Sequence, residues 1–285
     1  MPLTPTREIV EAAVRAGRGV GAFNVIQLEH AEALVAGAER AEAPVVLQIS
    51  QNCVRYHGAL EPIGLAVLAV ARRATVPVAV HLDHAEDPAL VHEAVELGFT
   101  SVMFDASRLD YAANVQATAE VVAYCHERGC FVEAELGEVG GKDGAHAPGV
   151  RTDPDEAREF VAATGVDALA VAVGSSHAML DRTAALDFEL ISRLREAVPV
   201  PLVLHGSSGV PDADLTRAVD AGMTKINVAT HFNKAFTRAL RDYLDANPTT
   251  VDTRRYFTPA REAVAAEAAR LLGVLRAGVG APVAR

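Results

Sequence analysis

Pro77-Val78-Ala79-Val80-His81-Leu82-Asp83-His84 is nearly continuous in apolar, β-branched character before it ends in polar residues. A short run of this kind fits a parallel strand covered on both faces. The same design recurs along the chain. Apolar runs at 44–49, 101–104 and 131–134 end in Ser50, Asp105 and Glu135. Runs at 168–173, 201–204 and 225–226 lead into Gly174-Ser175-Ser176-His177, His205-Gly206-Ser207-Ser208 and Asn227. Almost every strand therefore delivers a polar group to its carboxyl end.

Between these runs, segments 28–41, 60–74, 88–97, 114–128, 153–164, 187–197, 211–221 and 231–244 carry apolar residues at three- and four-residue spacing, the pattern of amphipathic helices. Asp153-Pro154-Asp155-Glu156 is a helix start, with an N-cap, a first-turn proline and acids at the positive end of the dipole. With 19–25 as a first strand, the count is about eight β-α units, which closes a TIM (β/α)8 barrel. An open doubly wound sheet would carry a glycine-rich turn after its first strand. Gly17-Arg18-Gly19-Val20-Gly21-Ala22 precedes that strand and reads as a turn. The expected organisation is a single domain over 1–285, with a C-terminal helical extension from about 257.

Composition agrees. A chain of 285 residues, 50% hydrophobic, can bury one large core. Its formal net charge of −11 argues against nucleic acid as a general partner. No segment reads as a signal peptide or reaches the ~18 apolar residues of a membrane span, so a cytoplasmic protein is expected. Cys53, Cys125 and Cys130 have neither the number nor the spacing of a disulfide framework or zinc ribbon, and read as reduced thiols.

His84, His177 and His205 close three strands at one rim and read as one metal site. Three neutral imidazoles leave zinc an open coordination position, as catalysis requires. His81 reads as a hydrogen-bonded core residue. His30, His57, His92, His126, His146 and His231 read as surface or supporting groups without metal spacing. Gly206-Ser207-Ser208-Gly209 can turn backbone N–H groups and hydroxyls toward an anion, and Asn227-Val228-Ala229-Thr230 leads into a helix N-terminus. Barrel enzymes often bind phosphate there.

Ala22-Phe23-Asn24-Val25, His81 to His84, Ser101 to Ser107, Val132 to Gly137, Leu204 to Gly209 and Lys225 to Thr230 follow one another in an order that resembles the class II, zinc-dependent ketose-bisphosphate aldolases. That family contains fructose- and tagatose-1,6-bisphosphate aldolases, which are TIM barrels and usually dimers or tetramers. The resemblance implies that His84, His177 and His205 hold catalytic Zn2+, with Asp105 and Glu135 at a neighbouring second divalent position. A monovalent cation is a further candidate. It also implies that Asp83 is the proton donor to the aldehyde oxygen, and that Asn24 and Ser50 touch the far end of the substrate. The substrates implied are small-molecule sugar phosphates. Fructose 1,6-bisphosphate is the first choice and tagatose 1,6-bisphosphate the second.

The chain departs from the family's pattern in three places. The mobile loop that supplies the family's glutamate base reads Gly140-Gly141-Lys142-Asp143 here, which makes Asp143 the first candidate and Glu138 the second. Ala178 follows the second zinc histidine where glycine is usual, leaving its backbone to serve the substrate. Asp252-Thr253-Arg254 stands for Asp-Pro-Arg, so Arg254 is the candidate for the distal phosphate. Two rival readings remain. A Schiff-base aldolase would need a barrel lysine, and only Lys225 lies in a strand. A non-catalytic aldolase partner subunit would not need Asp83 and the three histidines together.

Overall fold

Eight parallel strands, β1 (Val20–Asn24), β2 (Val45–Ser50), β3 (Val78–Ala85), β4 (Ser101–Phe104), β5 (Phe131–Leu136), β6 (Ala168–Val171), β7 (Leu202–Leu204) and β8 (Met223–Val228), pair in chain order and close into a barrel. The structure is a computed structural model that describes residues 2–136, 151–177 and 179–278. Pairing of Ala22 with Asn227 and of Phe23 with Val228 makes the closure. The expected TIM barrel is therefore the fold.

The helices outside the barrel are α2 (Leu28–Arg40), α3 (Gln51–His57), α4 (Glu61–Arg73), α5 (Pro88–Leu97), α6 (Tyr111–His126), α7 (Pro154–Thr164), α8 (Phe188–Ala197), α9 (Asp212–Ala221), α10 (Thr230–Ala246) and α11 (Thr253–Val274). Their inner faces and the outward residues of the strands form one continuous core that includes Leu34, Leu68, Phe160, Ile191 and Leu272. Asp87, Asp110, Asp153 and Asp187 cap α5, α6, α7 and α8 through side-chain oxygens that accept backbone N–H groups, which satisfies otherwise orphaned donors.

One helix that the strand count does not anticipate lies across the other end of the barrel. α1 (Thr6–Ala16) turns Ile9 and Ala13 onto Val20, Ala22, Val46 and Ala79, and Val10 onto Phe131, Ala168, Ala170 and Val203. Thr6, fully buried, donates to Ser101 Oγ at 2.7 Å. The amino ends of the strands are thus covered largely by apolar packing from α1. Among the described residues, no helix is long and apolar enough to cross a membrane.

His30 departs from its expected surface or supporting role. It sits at 5% exposure on α2 with its ring 5.0 Å from that of Phe236 on α10, and neither ring nitrogen has a hydrogen-bond partner. Burial, partly opposed by the charge of Glu29, pulls its pKa down to about 4. The folded value lies below the unfolded one, so this contribution to stability is complete above the unfolded pKa of about 6.5 and is lost as pH falls toward 4. The native state then resists a proton that the unfolded chain accepts. Denaturant titrations at about pH 7 and pH 4.5 should show wild-type protein losing about 2 kcal/mol more than His30→Leu between the two pH values. Equal losses would mean that His30 is charged in the native state.

Candidate active site

β3 brings two consecutive residues to the same rim, which a regular strand does not do, because neighbouring side chains alternate between faces. The β3–β4 register shifts between Leu82 and Ala85, and His84 lies in the left-handed region at φ 51°. For a residue with a Cβ this conformation is strained, and such strain collects at functional sites. The bulge sets Asp83 and His84 side by side on the site.

His84, His177 and His205 converge with ring centroids 4.7–5.7 Å apart. One ligand atom from each, together with one from Glu135, lies within 4.8 Å of all the others. Three imidazoles and a carboxylate suit a divalent transition metal, so the donor set present fits such an ion. Asp105 does not join this group. Its Oδ2 stands 2.9 Å from His84 Nδ1, a contact that holds the orientation of that ring. Asp105 Oδ1 in turn accepts the Ser107 hydroxyl at 2.6 Å.

His205 is fully buried between two carboxylates. Nδ1 lies 2.8 Å from Glu135 Oε2 and Nε2 lies 3.0 Å from Glu133 Oε1. A carboxylate can only accept. Burial lowers the pKa of this ring, but the hydrogen bonds to Glu133 and Glu135 outweigh it and raise the value to about 9. Behind this group, Lys225 Nζ stands 2.8 Å from Glu133 Oε2. Burial would raise the Glu133 carboxyl, but Lys225 and His205 hold it down at about 2. His81, two residues before Asp83 on β3, is fully buried with Nδ1 2.8 Å from Ser101 Oγ.

Asp83 is held from two sides. Asn24 Nδ2 donates to its Oδ2 at 3.2 Å, and Asn227 Nδ2 faces its Oδ1 at 3.5 Å. Gln48 donates to Asn24 Oδ1 at 2.7 Å and fixes that amide. Burial pushes the Asp83 carboxyl up, yet His84, Lys225 and His205 together hold it well below the usual carboxylate range.

Asn24, Gln48, Asp83, His84, His177 and Asn227 line a cavity of about 260 Å³ that also reaches Ser50, Asn52, Gly206, Ser207, Ser208, Ala229 and Thr230. Ser208 Oγ accepts N–H groups of Ala229 and His231 at 3.3 Å each, joining the 206–208 loop to the start of α10. Gly206 has φ 66° and lies against the backbone of Ser176, where a Cβ would come within 2.6 Å of the carbonyl. The anion-type loop and the His177 loop therefore meet backbone to backbone.

Not every sequence candidate comes to the cavity. Val228 is buried in the core at 2% exposure. Arg254 begins α11 with an 88% exposed side chain paired to Asp252 at 2.9 Å, and it does not line the cavity of its own chain. Glu138, Asp143 and Ala178 lie outside the described residues. Conversely, Gln48 and Glu133 were not singled out as site residues, and Lys225 was weighed only as a Schiff-base lysine. Their signal was present: a glutamine, a glutamate and a lysine inside apolar strands are expensive to bury without partners. Arg55 and Arg108 were missed as well. They bracket Glu86 at 3.3 and 3.6 Å in a smaller cleft that shares Ser50, Asn52 and His84 with the main cavity.

Comparison with known proteins agrees with this geometry. The family model described as fructose-bisphosphate aldolase class-II matches residues 4–278. The fructose-bisphosphate aldolase of Geobacillus stearothermophilus is 40% identical over 270 residues, covering 93% of this chain and 94% of that protein. The probable fructose-bisphosphate aldolase of Bacillus subtilis is 41% identical over 268 residues, with coverages of 93% and 94%. Among solved structures, the YdjI aldolase from Escherichia coli K12 superposes with a TM-score of 0.84 at 33% identity, covering 98% of this chain and 100% of that one. A putative fructose-1,6-biphosphate aldolase from Coccidioides immitis gives 0.87 at 30% identity, with coverages of 97% and 98%. Barrel, histidine cluster and matches along almost the whole length agree, and the chain belongs to the class II fructose-bisphosphate aldolase family.

Proposed function

We propose that this protein reversibly cleaves fructose 1,6-bisphosphate into dihydroxyacetone phosphate and glyceraldehyde 3-phosphate, with zinc as its metal. The observation that carries this reading is the grouping of His84, His177, His205 and Glu135 beside the doubly held carboxylate of Asp83. A divalent ion on those donors supplies a Lewis acid for the ketose C2 oxygen. In cleavage, Asp83 takes the proton of the C4 hydroxyl, and in condensation it returns that proton to the aldehyde oxygen. Asn24 and Asn227 hold its two oxygens in place for both directions.

Gly206, Ser207, Ser208, Ala229 and Thr230 receive the C1 phosphate at the positive end of α10. Ser50, Arg55 and Arg108 meet the second phosphate at the opposite end. We take the assembly to be a homodimer or homotetramer, in which Arg254 contributes only by reaching a neighbouring copy. A carboxylate of the 137–150 segment, Asp143 first and Glu138 second, removes the C3 proton. The Schiff-base alternative is disfavoured because Lys225 is 1% exposed and ion-paired with Glu133. Tagatose 1,6-bisphosphate is the alternative substrate, differing only at C4.

A coupled assay offering both bisphosphates should show turnover of the fructose epimer that a strong chelator abolishes and zinc restores. Faster turnover of the tagatose epimer would reverse the substrate assignment, and undiminished turnover in metal-free protein would overturn the mechanism. Asp83→Ala should lower cleavage by roughly 10²–10⁴-fold while proton exchange at C3 of dihydroxyacetone phosphate persists. Asp143→Ala should abolish both, and normal exchange in that variant with loss in Glu138→Ala would move the base to Glu138. Arg55→Ala and Arg108→Ala should each raise KM for the bisphosphate about tenfold without changing C3 exchange, since that half-reaction carries no second phosphate. Unchanged KM in both would remove them from the substrate's path.

A further inference from the structure

Behind the histidines lies a fully buried ion pair that the proposed reaction does not use. Lys225 on β8 and Glu133 on β5 are 1% and 0% exposed, and they meet at 2.8 Å. Such a pair adds little stability over an apolar one, because desolvating two charges offsets most of their attraction. The remaining contacts of the pair give it another use. Glu133 Oε1 lies 3.0 Å from His205 Nε2, and Lys225 Nζ donates to Asn227 Oδ1 at 2.9 Å.

Donor and acceptor types fix the Asn227 amide, and the donor group fixes His205. An ammonium only donates, so Asn227 must turn its oxygen toward Lys225 and its NH2 toward Asp83. Both ring nitrogens of His205 face carboxylates, but only Glu135 shares its donor group; a metal held there would take Nδ1, and Glu133, which only accepts, would keep the remaining proton on Nε2. Glu135, on the Nδ1 side at 2.8 Å, belongs to the same donor group. Carboxylates behind ligating histidines commonly fix ring orientation in this way. Lys225 lines no part of the substrate cavity, yet one nitrogen atom reaches both functional halves through a single intermediary each.

We infer that Lys225 is a positioning residue with two arms. Through Glu133 it sets which nitrogen of His205 faces the metal, and through Asn227 it sets the orientation of the Asp83 carboxylate. The inference rests on reading His205 as a ligand and Asp83 as the proton-handling group.

The test uses two variants that leave no buried charge stranded, Lys225→Met/Glu133→Leu and Lys225→Met/Glu133→Gln. Cobalt affinity is measured by chelator competition, and kcat and KM are measured at saturating metal. The Met/Leu form, which lacks an acceptor for His205 Nε2, should bind cobalt about 10–100-fold more weakly. The Met/Gln form keeps a carbonyl for Nε2–H and should recover most of that affinity. Both should lose about 10–100-fold in kcat with KM little changed, because neither supplies a donor to Asn227. A purely structural pair would move only the unfolding midpoint. Wild-type cobalt affinity in the folded Met/Leu form, no recovery in the Met/Gln form, or wild-type kcat in either would overturn the two-armed role. The cobalt measurements need no substrate, so they remain decisive for the His205 arm even if wild-type protein cleaves neither bisphosphate.

Discussion

Pairing of β1 with β8 is the constraint on which the rest of the molecule depends. It turns an open ladder into a ring, so that residues near the start of the chain and residues near its end face a common axis. Asn24 and Asn227 reach the same carboxylate only because of it. In a parallel ring every strand ends at one rim, and α1 closes the other end with Ile9, Val10 and Ala13. Polar side chains inside the barrel thus have one place to gather. Their charges are then close enough to control one another.

That control is visible in how each polar group is paired. Asp105 stands behind His84, Glu133 and Glu135 flank His205, and Lys225 answers Glu133. In a low-dielectric interior each of these groups alone would be costly to bury. Together they form a set in which every strong donor meets an acceptor. The left-handed backbone of His84 belongs to the same arrangement. Its strain buys the adjacency of the Asp83 and His84 side chains on one face of the site, which regular alternation forbids.

Much of this was legible in the sequence, and the rest was hidden for physical reasons. Apolar runs with polar ends marked the strands, and three-and-four spacing marked the helices around them. The strand expected at 77–82 extends to Ala85, because the bulge keeps Asp83 and His84 inside the ladder. The strand expected at 225–226 spans Met223–Val228, because a barrel interior tolerates Thr224, Lys225 and Asn227 where a two-sided apolar sheet would not. α3 is only seven residues long, too short for periodicity to declare it. The three histidines that the structure brings together stood out because imidazoles at strand ends have a chemical signature. Glu133 and Lys225 were not, because a buried pair between β5 and β8 is legible only once the ring is closed. Arg254 shows the converse: a sequence match placed it in the site, while its own chain holds it at the surface beside Asp252.

Gly206 has a consequence for how this enzyme can diverge. Its Cα rests on the Ser176 backbone with no room for a methyl group, so the 206–208 loop and the loop that presents His177 interlock main chain to main chain. A lineage exploring new substrates cannot reshape the first without dislodging the second. Innovation is thereby channelled to the opposite wall, where Ser50, Asn52, Arg55 and Arg108 are anchored by side chains and short helices instead of by interlocked main chain. Diversity should accordingly accumulate at that wall. The half that carries Gly206 and His177 would be inherited as a fixed cassette.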